Sequence, residues 1–217
     1  MKIKEIYQLI VKLGKTADPR GEDIVQLLEQ KNGEYKELKE EDKKYFDQDK
    51  LFNLYSDTRI LYGDEDAEVK TIMAGIDVET GEVLLADRLR EKGTKIDLIL
   101  SHHPEGKALA ELYEVMELQE DVLYNLGVPI NVAQGILSSR ISEVQRNLLP
   151  LNHNRTVDAA RILDIPLMCA HTPADNQVQL FLENLFKAKE PTLVGDIVKI
   201  LKEVPEYERA TYLGVGP

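Results

Sequence analysis

The sequence contains a single cysteine, Cys169, among 217 residues, and only four histidines. One cysteine excludes an internal disulfide framework and suits a reducing cytosol. No apolar run approaches the roughly 18 residues that a membrane span requires. The opening stretch, "MKIKEIYQLIVKLGK", is too interrupted by charge for a signal peptide. Together these absences predict a cytoplasmic protein.

Basic residues are also in short supply. There are 27 Lys and Arg against 39 Asp and Glu, which gives a formal net charge of −12. An average field of that sign repels a phosphate backbone, so nucleic acid is disfavoured as a partner. Hydrophobic residues make up 43% of the chain, an ordinary globular value that allows a sizeable core.

The first 54 residues are expected to form a helical and charged segment. Ile3, Ile6 and Ile10 lie at helical spacing on one apolar stripe. From Gly33 to Lys50, 12 of 18 residues are charged, seven acidic and five basic. Because the signs are mixed, this stretch is typical of a solvated helix or connector and not of a one-sign binding tail. A second domain is predicted over residues 55–217.

Within that domain, strand and helix patterns alternate. "KTIMAGIDV" (70–78) and "KIDLILS" (95–101) are predicted buried strands, joined by the helix "TGEVLLADRLREKG" (80–93) with Thr80 as N-cap. Such a unit predicts a parallel pair with a right-handed crossover.

The second half continues the alternation. It has a predicted long helix (108–127), a short strand "VPINVAQ" (128–134), two amphipathic helices, and a buried strand "IPLMCAHT" (165–172) before further helices. The whole pattern predicts an α/β fold, a mainly parallel sheet with helices on both faces.

Histidines lie where two of these strands end, in "ILSHHP" and "MCAHTPAD". Open parallel sheets place ligand sites at the carboxyl ends of their strands. Imidazole and carboxylate suit zinc, iron, manganese or nickel, and His102, His103, His171 and Asp175 supply both types. Two alternatives stay open: the histidines could simply bond to backbone, and Thr172 or Asp175 could cap the following helix.

Other candidates are weaker. Asp77 ends the first strand and could orient a ligand or cap the next helix. Glu105 is better explained as an exposed glutamate than as an acid or base, and Cys169 as a small core residue. "GKT" at residues 14–16 lacks the glycine that a phosphate loop needs five residues earlier, where Leu9 stands, so that interpretation is rejected.

The segments "MAGIDV" and "LLADRLREKGTKIDLILSHHP", followed by "CAHTPAD", resemble the NIF-three-like proteins, also described as GTP cyclohydrolase type-two-like. The match covers residues 57–175, about half the chain. Both histidine motifs occur in the family order at comparable strand ends.

The resemblance implies a dinuclear centre of divalent metal ions: zinc, iron or manganese. His102 and His103 would each supply one ligand to one ion, and Asp175 would supply a carboxylate. His171, in the matching motif, would line the pocket and act catalytically by handling protons.

The resemblance also implies a homo-oligomer, a toroidal hexamer, and a metal-dependent hydrolase acting on a nucleotide-like substrate. Family members complete their site with a later histidine and glutamate, four residues apart, whereas this sequence has no histidine after His171. The charged amino-terminal segment also departs from the family pattern. Two functions therefore stay open, the hydrolase and a non-catalytic metal-binding scaffold or interaction protein.

Overall fold

A computed structural model describes residues 1–214 of the chain. These residues fall into two compact units, Met1–Gln177 and a second unit that begins at Val178. The predicted 55–217 domain thus ends in three positions, 215–217, that lie outside the described residues. The predicted boundary between residues 54 and 55 stays a prediction.

Helices and four short strands make up residues 1–214. In order they are α1 (Ile3–Thr16), α2 (Asp23–Glu37), α3 (Glu40–Lys43), a 3₁₀ helix (Gln48–Leu51), β1 (Arg59–Tyr62), β2 (Ile72–Gly75), α4 (Thr80–Glu91), β3 (Leu98–Ser101), α5 (Gly106–Ala110), α6 (Leu112–Val115), α7 (Leu118–Asn125), α8 (Ile130–Leu148), α9 (Arg155–Ile162), β4 (Leu167–Cys169), α10 (Thr172–Lys189), α11 (Val194–Leu201) and α12 (Pro205–Tyr212). Among residues 1–214, no helix combines the length and apolar character that crossing a membrane requires.

The strands form one sheet in the order β1-β4-β3-β2. The pairs β2–β3 and β3–β4 are parallel, whereas β1 runs antiparallel to β4. The predicted α/β class with a mainly parallel sheet is therefore confirmed. Strand β1 was not predicted.

Helices cover both faces of the sheet, as predicted. On one face, α1 buries Ile3, Tyr7 and Val11, which recur every four residues, against Leu98 and Met168. On the other face, α4 and α9 pack on the alternate strand residues; the buried residues there include Val83, Ala86, Ile99, Val157, Ala160 and Leu167. Neighbouring strand residues point to opposite faces, so each inner strand contributes to both cores.

The predicted strand over 128–134 is wrong. Helix α8 begins at Ile130, directly after Pro129, and runs through this stretch. A short apolar run does not distinguish a strand from a helix by periodicity alone. Ala133 is the one buried residue of α8, so this segment does not supply the two apolar faces of an inner strand.

The predicted long helix over 108–127 is three short helices, α5, α6 and α7.

Strand β2 is also less buried than predicted: its residues alternate between exposed and half-buried, and Ile72 is 41% exposed. The reason is its position at the edge of the sheet, with β3 as its neighbour.

Helix α4 is capped by Glu79 and not by Thr80, because the backbone N–H of Glu79 donates to Glu82 at 2.8 Å.

The mixed-charge stretch 33–50 is solvated, as predicted. It contains the end of α2, all of α3 and most of the 3₁₀ helix, and its residues are exposed or half-buried. Two of its carboxylates, Asp47 and Asp49, form ion pairs with the buried Arg59 at 2.5 and 2.9 Å. The segment is therefore tied to the start of β1.

We expect Leu98→Ala to lower the free energy of unfolding by about 2–5 kcal/mol, because the Leu98 side chain, on β3, is fully buried beneath α1. The matched control is Leu84→Ala on α4, where the side chain is 53% exposed, with an expected change within about 0.5 kcal/mol. Urea unfolding of both variants measures this. Equal losses in the two variants would contradict the packing described here.

Candidate metal centre

Four strands contribute one residue each to a polar row just beyond the sheet. The last paired residues, in sheet order, are Arg59, Cys169, Ser101 and Gly75. Two positions beyond these residues, away from the sheet, lie Asp57, which precedes β1, and His171, His103 and Asp77, which follow β4, β3 and β2. Asp57 contacts His171, and Asp77 contacts His103. Strand register therefore brings together residues that are far apart in the sequence.

Each of the three histidines bonds through Nδ1 to a protein acceptor. In His171, Nδ1 lies 2.8 Å from a carboxylate oxygen of Asp57. In His103, Nδ1 lies 2.6 Å from Asp77, and in His102 it lies 3.2 Å from the carbonyl oxygen of Ala170. Metal-binding histidines are typically oriented by such a bond from the second nitrogen. The contacts leave Nε2 of each ring for a ligand.

The three rings lie close together. The donor atoms that His102, His103 and His171 offer lie within 4.8 Å of one another. Their ring centroids are 4.8 to 5.7 Å apart. His102 and His171 are half-buried and His103 is exposed, so the group is open to solvent on one side. Three imidazoles in this arrangement could hold a metal ion.

Asp175 lies at the edge of this group, one helical turn after His171. Its Oδ1 is 3.5 Å from His102 Nε2 and its Oδ2 is 3.7 Å from His171 Nε2. The side chain is 54% exposed. Its carboxylate is thus near the free nitrogens of two histidines, and its role as a metal ligand stays a prediction. The three-histidine group does not include it; His171, predicted as catalytic, is the third donor there.

Asp57 is the residue of the site that sequence reasoning missed. Its carboxylate is fully buried. The same oxygen that contacts His171 also accepts hydrogen bonds from the Thr172 backbone N–H at 3.2 Å and from Thr172 Oγ1 at 2.6 Å. Thr172 therefore stabilises the buried carboxylate of Asp57. In the sequence, Asp57 stands in "YSDTR", before a strand that was not predicted, so its partner could not be identified.

Asp57 also raises the pKa of His171. Burial alone lowers the pKa of this imidazole, but the hydrogen bond and charge of Asp57, with the charge of Asp175, reverse that effect and raise it above its ordinary value of 6.5.

The remaining sequence candidates have simple roles. Asp77 contacts His103. Glu105 is half-buried and not exposed as predicted, and this burial raises its pKa. Cys169 is a core residue, as predicted, and burial raises the pKa of its thiol to about 12. "GKT" ends α1, where Gly14 is packed so closely that an added Cβ would lie 2.7 Å from Pro173.

We expect Asp57→Asn to lower the pKa of His171 in the metal-free protein, because the buried negative charge is removed. In the wild type, the raised pKa stabilises the fold below pH 6.5, and this contribution is lost as the pH rises through the folded-state pKa. NMR titration of the imidazole signals measures the shift. Asp77→Asn, which removes the contact to His103, is the matched control and should leave His171 unchanged; an equal pKa in wild type and Asp57→Asn would refute the assignment.

Comparison with models of known protein families gave no match, and none was found among curated proteins. Among solved structures, the chain is similar to a NIF3 superfamily protein from Sphaerobacter thermophilus, with a TM-score of 0.64 and 27% sequence identity. The match covers 73% of this chain and 57% of that protein, so the chain spans less than two thirds of its length. The predicted resemblance to the NIF-three-like proteins is confirmed by this structural similarity.

Proposed function

We propose that the histidine cluster is a divalent metal centre and that the chain is a metal-dependent hydrolase. One observation supports this best: all three imidazole rings bond to the protein through Nδ1, which leaves Nε2 of each ring for a ligand. Histidines that only satisfied nearby backbone would not need two carboxylates to orient them. The donor set, imidazole with a nearby carboxylate, fits zinc, iron or manganese.

The proposed ligands are His102, His103 and Asp175. In a dinuclear centre the two adjacent histidines would serve one ion each, and the two oxygens of Asp175 lie toward His102 and His171. Donor atoms spread over as much as 4.8 Å suit two neighbouring ions, or a single ion after small side-chain movements.

His171 has two possible roles at this centre. Asp57 holds the proton on Nδ1, so Nε2 is the atom that either binds an ion or takes up a proton from water. A bound divalent ion would supply Lewis acidity and lower the pKa of a water molecule toward neutrality. The two roles differ in whether metal is kept when His171 is removed.

The surroundings of the cluster favour cations. The charged partners of the three rings are carboxylates, those of Asp57, Asp77 and Asp175. Such a site attracts a positive ion and repels a phosphate group. The nucleotide-like substrate that the resemblance implies would therefore depend on the ions for local positive charge.

The homo-oligomer and the hexamer belong to this proposal through the family resemblance alone, and the cytoplasmic location through the single cysteine and the absence of a signal-peptide pattern. Light scattering on the purified chain, with and without metal, measures the oligomer size directly.

We expect the wild type to bind zinc, iron or manganese near stoichiometrically. His102→Ala, His103→Ala and Asp175→Ala should each weaken metal binding at least tenfold, because each removes a ligand atom. Elemental analysis and metal titration measure this. The control is His153→Ala, since this fourth histidine bonds to the Leu148 carbonyl oxygen at 2.8 Å and lies outside the cluster. Absence of metal from the wild type, even after loading, would overturn the proposal.

His171→Ala separates the two roles of that residue. Loss of metal identifies it as a ligand, whereas retained metal with lost turnover identifies it as the proton-handling group. Turnover is measured on nucleotides and simple esters. Stoichiometric metal without turnover on any of them would support the alternative function, a non-catalytic metal-binding scaffold.

A further inference from the structure

An open cavity of about 300 Å³ lies beside His102, on the face of the sheet that α1 covers. Leu13 and Ala74, at its rim, are exposed to solvent. This volume is at the lower end of the range for small-molecule sites. Its walls come from three directions: α1, the ends of β2 and β3, and the first turn of α10. The apolar side chains that form them are Ile10, Leu13, Ala74, Leu100, Pro173 and Ala174.

The wall between α1 and α10 is held by specific contacts. Asn176, which is buried, donates from Nδ2 to the Gly14 carbonyl oxygen at 3.2 Å. Gln177 donates from Nε2 to the Leu13 carbonyl oxygen at 2.7 Å. Gly14 also lies directly against Pro173. These contacts fix the end of α1 to the start of α10, so the cavity is a built feature of the fold.

Three polar side chains along the cavity each make a hydrogen bond within the protein. Ser101 Oγ donates to the His103 carbonyl oxygen at 2.6 Å. His102 Nδ1 is bonded to Ala170, and the amide of Gln177 donates to α1. A ligand that carried its own donors and acceptors into this space would lose hydrogen bonds to water without full replacement. The cavity therefore selects for apolar groups.

His102 connects the cavity with the cluster, since it lines the first and belongs to the second. We propose that the cavity binds a neutral apolar group, an alkyl chain or an aromatic system of one or two rings, carried by the molecule that reacts at the histidines. The role as a substrate subsite rests on the proposed function; the binding of an apolar group does not. A nucleobase, with several polar atoms on its edge, fits this space less well than a hydrocarbon ring.

The test uses indole and adenosine as probes with the metal-free full chain. Binding is followed by the methyl NMR signals of Ile10, Leu13 and Leu100. Ala174→Phe and Ala74→Phe fill the cavity from two different walls, and Ala188→Phe, at an exposed position later in α10, is the matched control. Two filling variants are needed because Ala174 is next to Asp175; metal titration of each shows whether the centre is intact.

We expect indole to shift these signals more strongly than adenosine does, and both filling variants to bind it at least tenfold more weakly than the control. Indole binding that Ala74→Phe and Ala174→Phe leave unchanged, or stronger binding of adenosine, would overturn the inference. With metal bound, a hexanoate ester should be cleaved faster than the matching acetate. If neither ester is cleaved but indole binds, the hydrolase proposal fails and the apolar site stands; if both are cleaved equally, the subsite role fails.

Discussion

The antiparallel pairing of β1 with β4 is the constraint on which the site depends, because it sets the buried Asp57 opposite His171. A buried carboxylate is costly unless it is hydrogen-bonded, and Asp57 meets this condition through the His171 ring and Thr172. The bonds join the segment before β1 to the first turn of α10. Removing the pairing would leave a buried charge without partners and a histidine without a fixed orientation.

The parallel strands were predictable, because short apolar runs alternated with helical patterns and two of them ended at histidines. Strand β1 was not, since its four residues follow a charged segment and its pairing partner β4 lies more than 100 residues later. Asp57 has the same difficulty: its partner is 114 residues away. The cluster could thus be predicted in part from strand ends, whereas the carboxylate that orients His171 depends on a non-local register that no local pattern contains.

Three carboxylates beside three imidazoles give the site a net preference for positive charge. Protons can supply this charge, as the raised pKa of His171 indicates, and so can metal ions. The two compete, because metal binding requires neutral imidazoles.

The side chains of the tandem histidines lie toward different faces of the sheet, which explains why two occur side by side. On β3, Leu98 packs against α1 while Ile99 packs in the opposite core. By the same alternation, His102 lies with Leu100 along the apolar cavity, whereas His103 lies in the polar row with His171 and Asp77. Because the strand has ended, both rings can still approach one another, with centroids 5.1 Å apart. One dipeptide therefore places a nitrogen donor of the three-histidine group next to an apolar cavity, and His102 belongs to both.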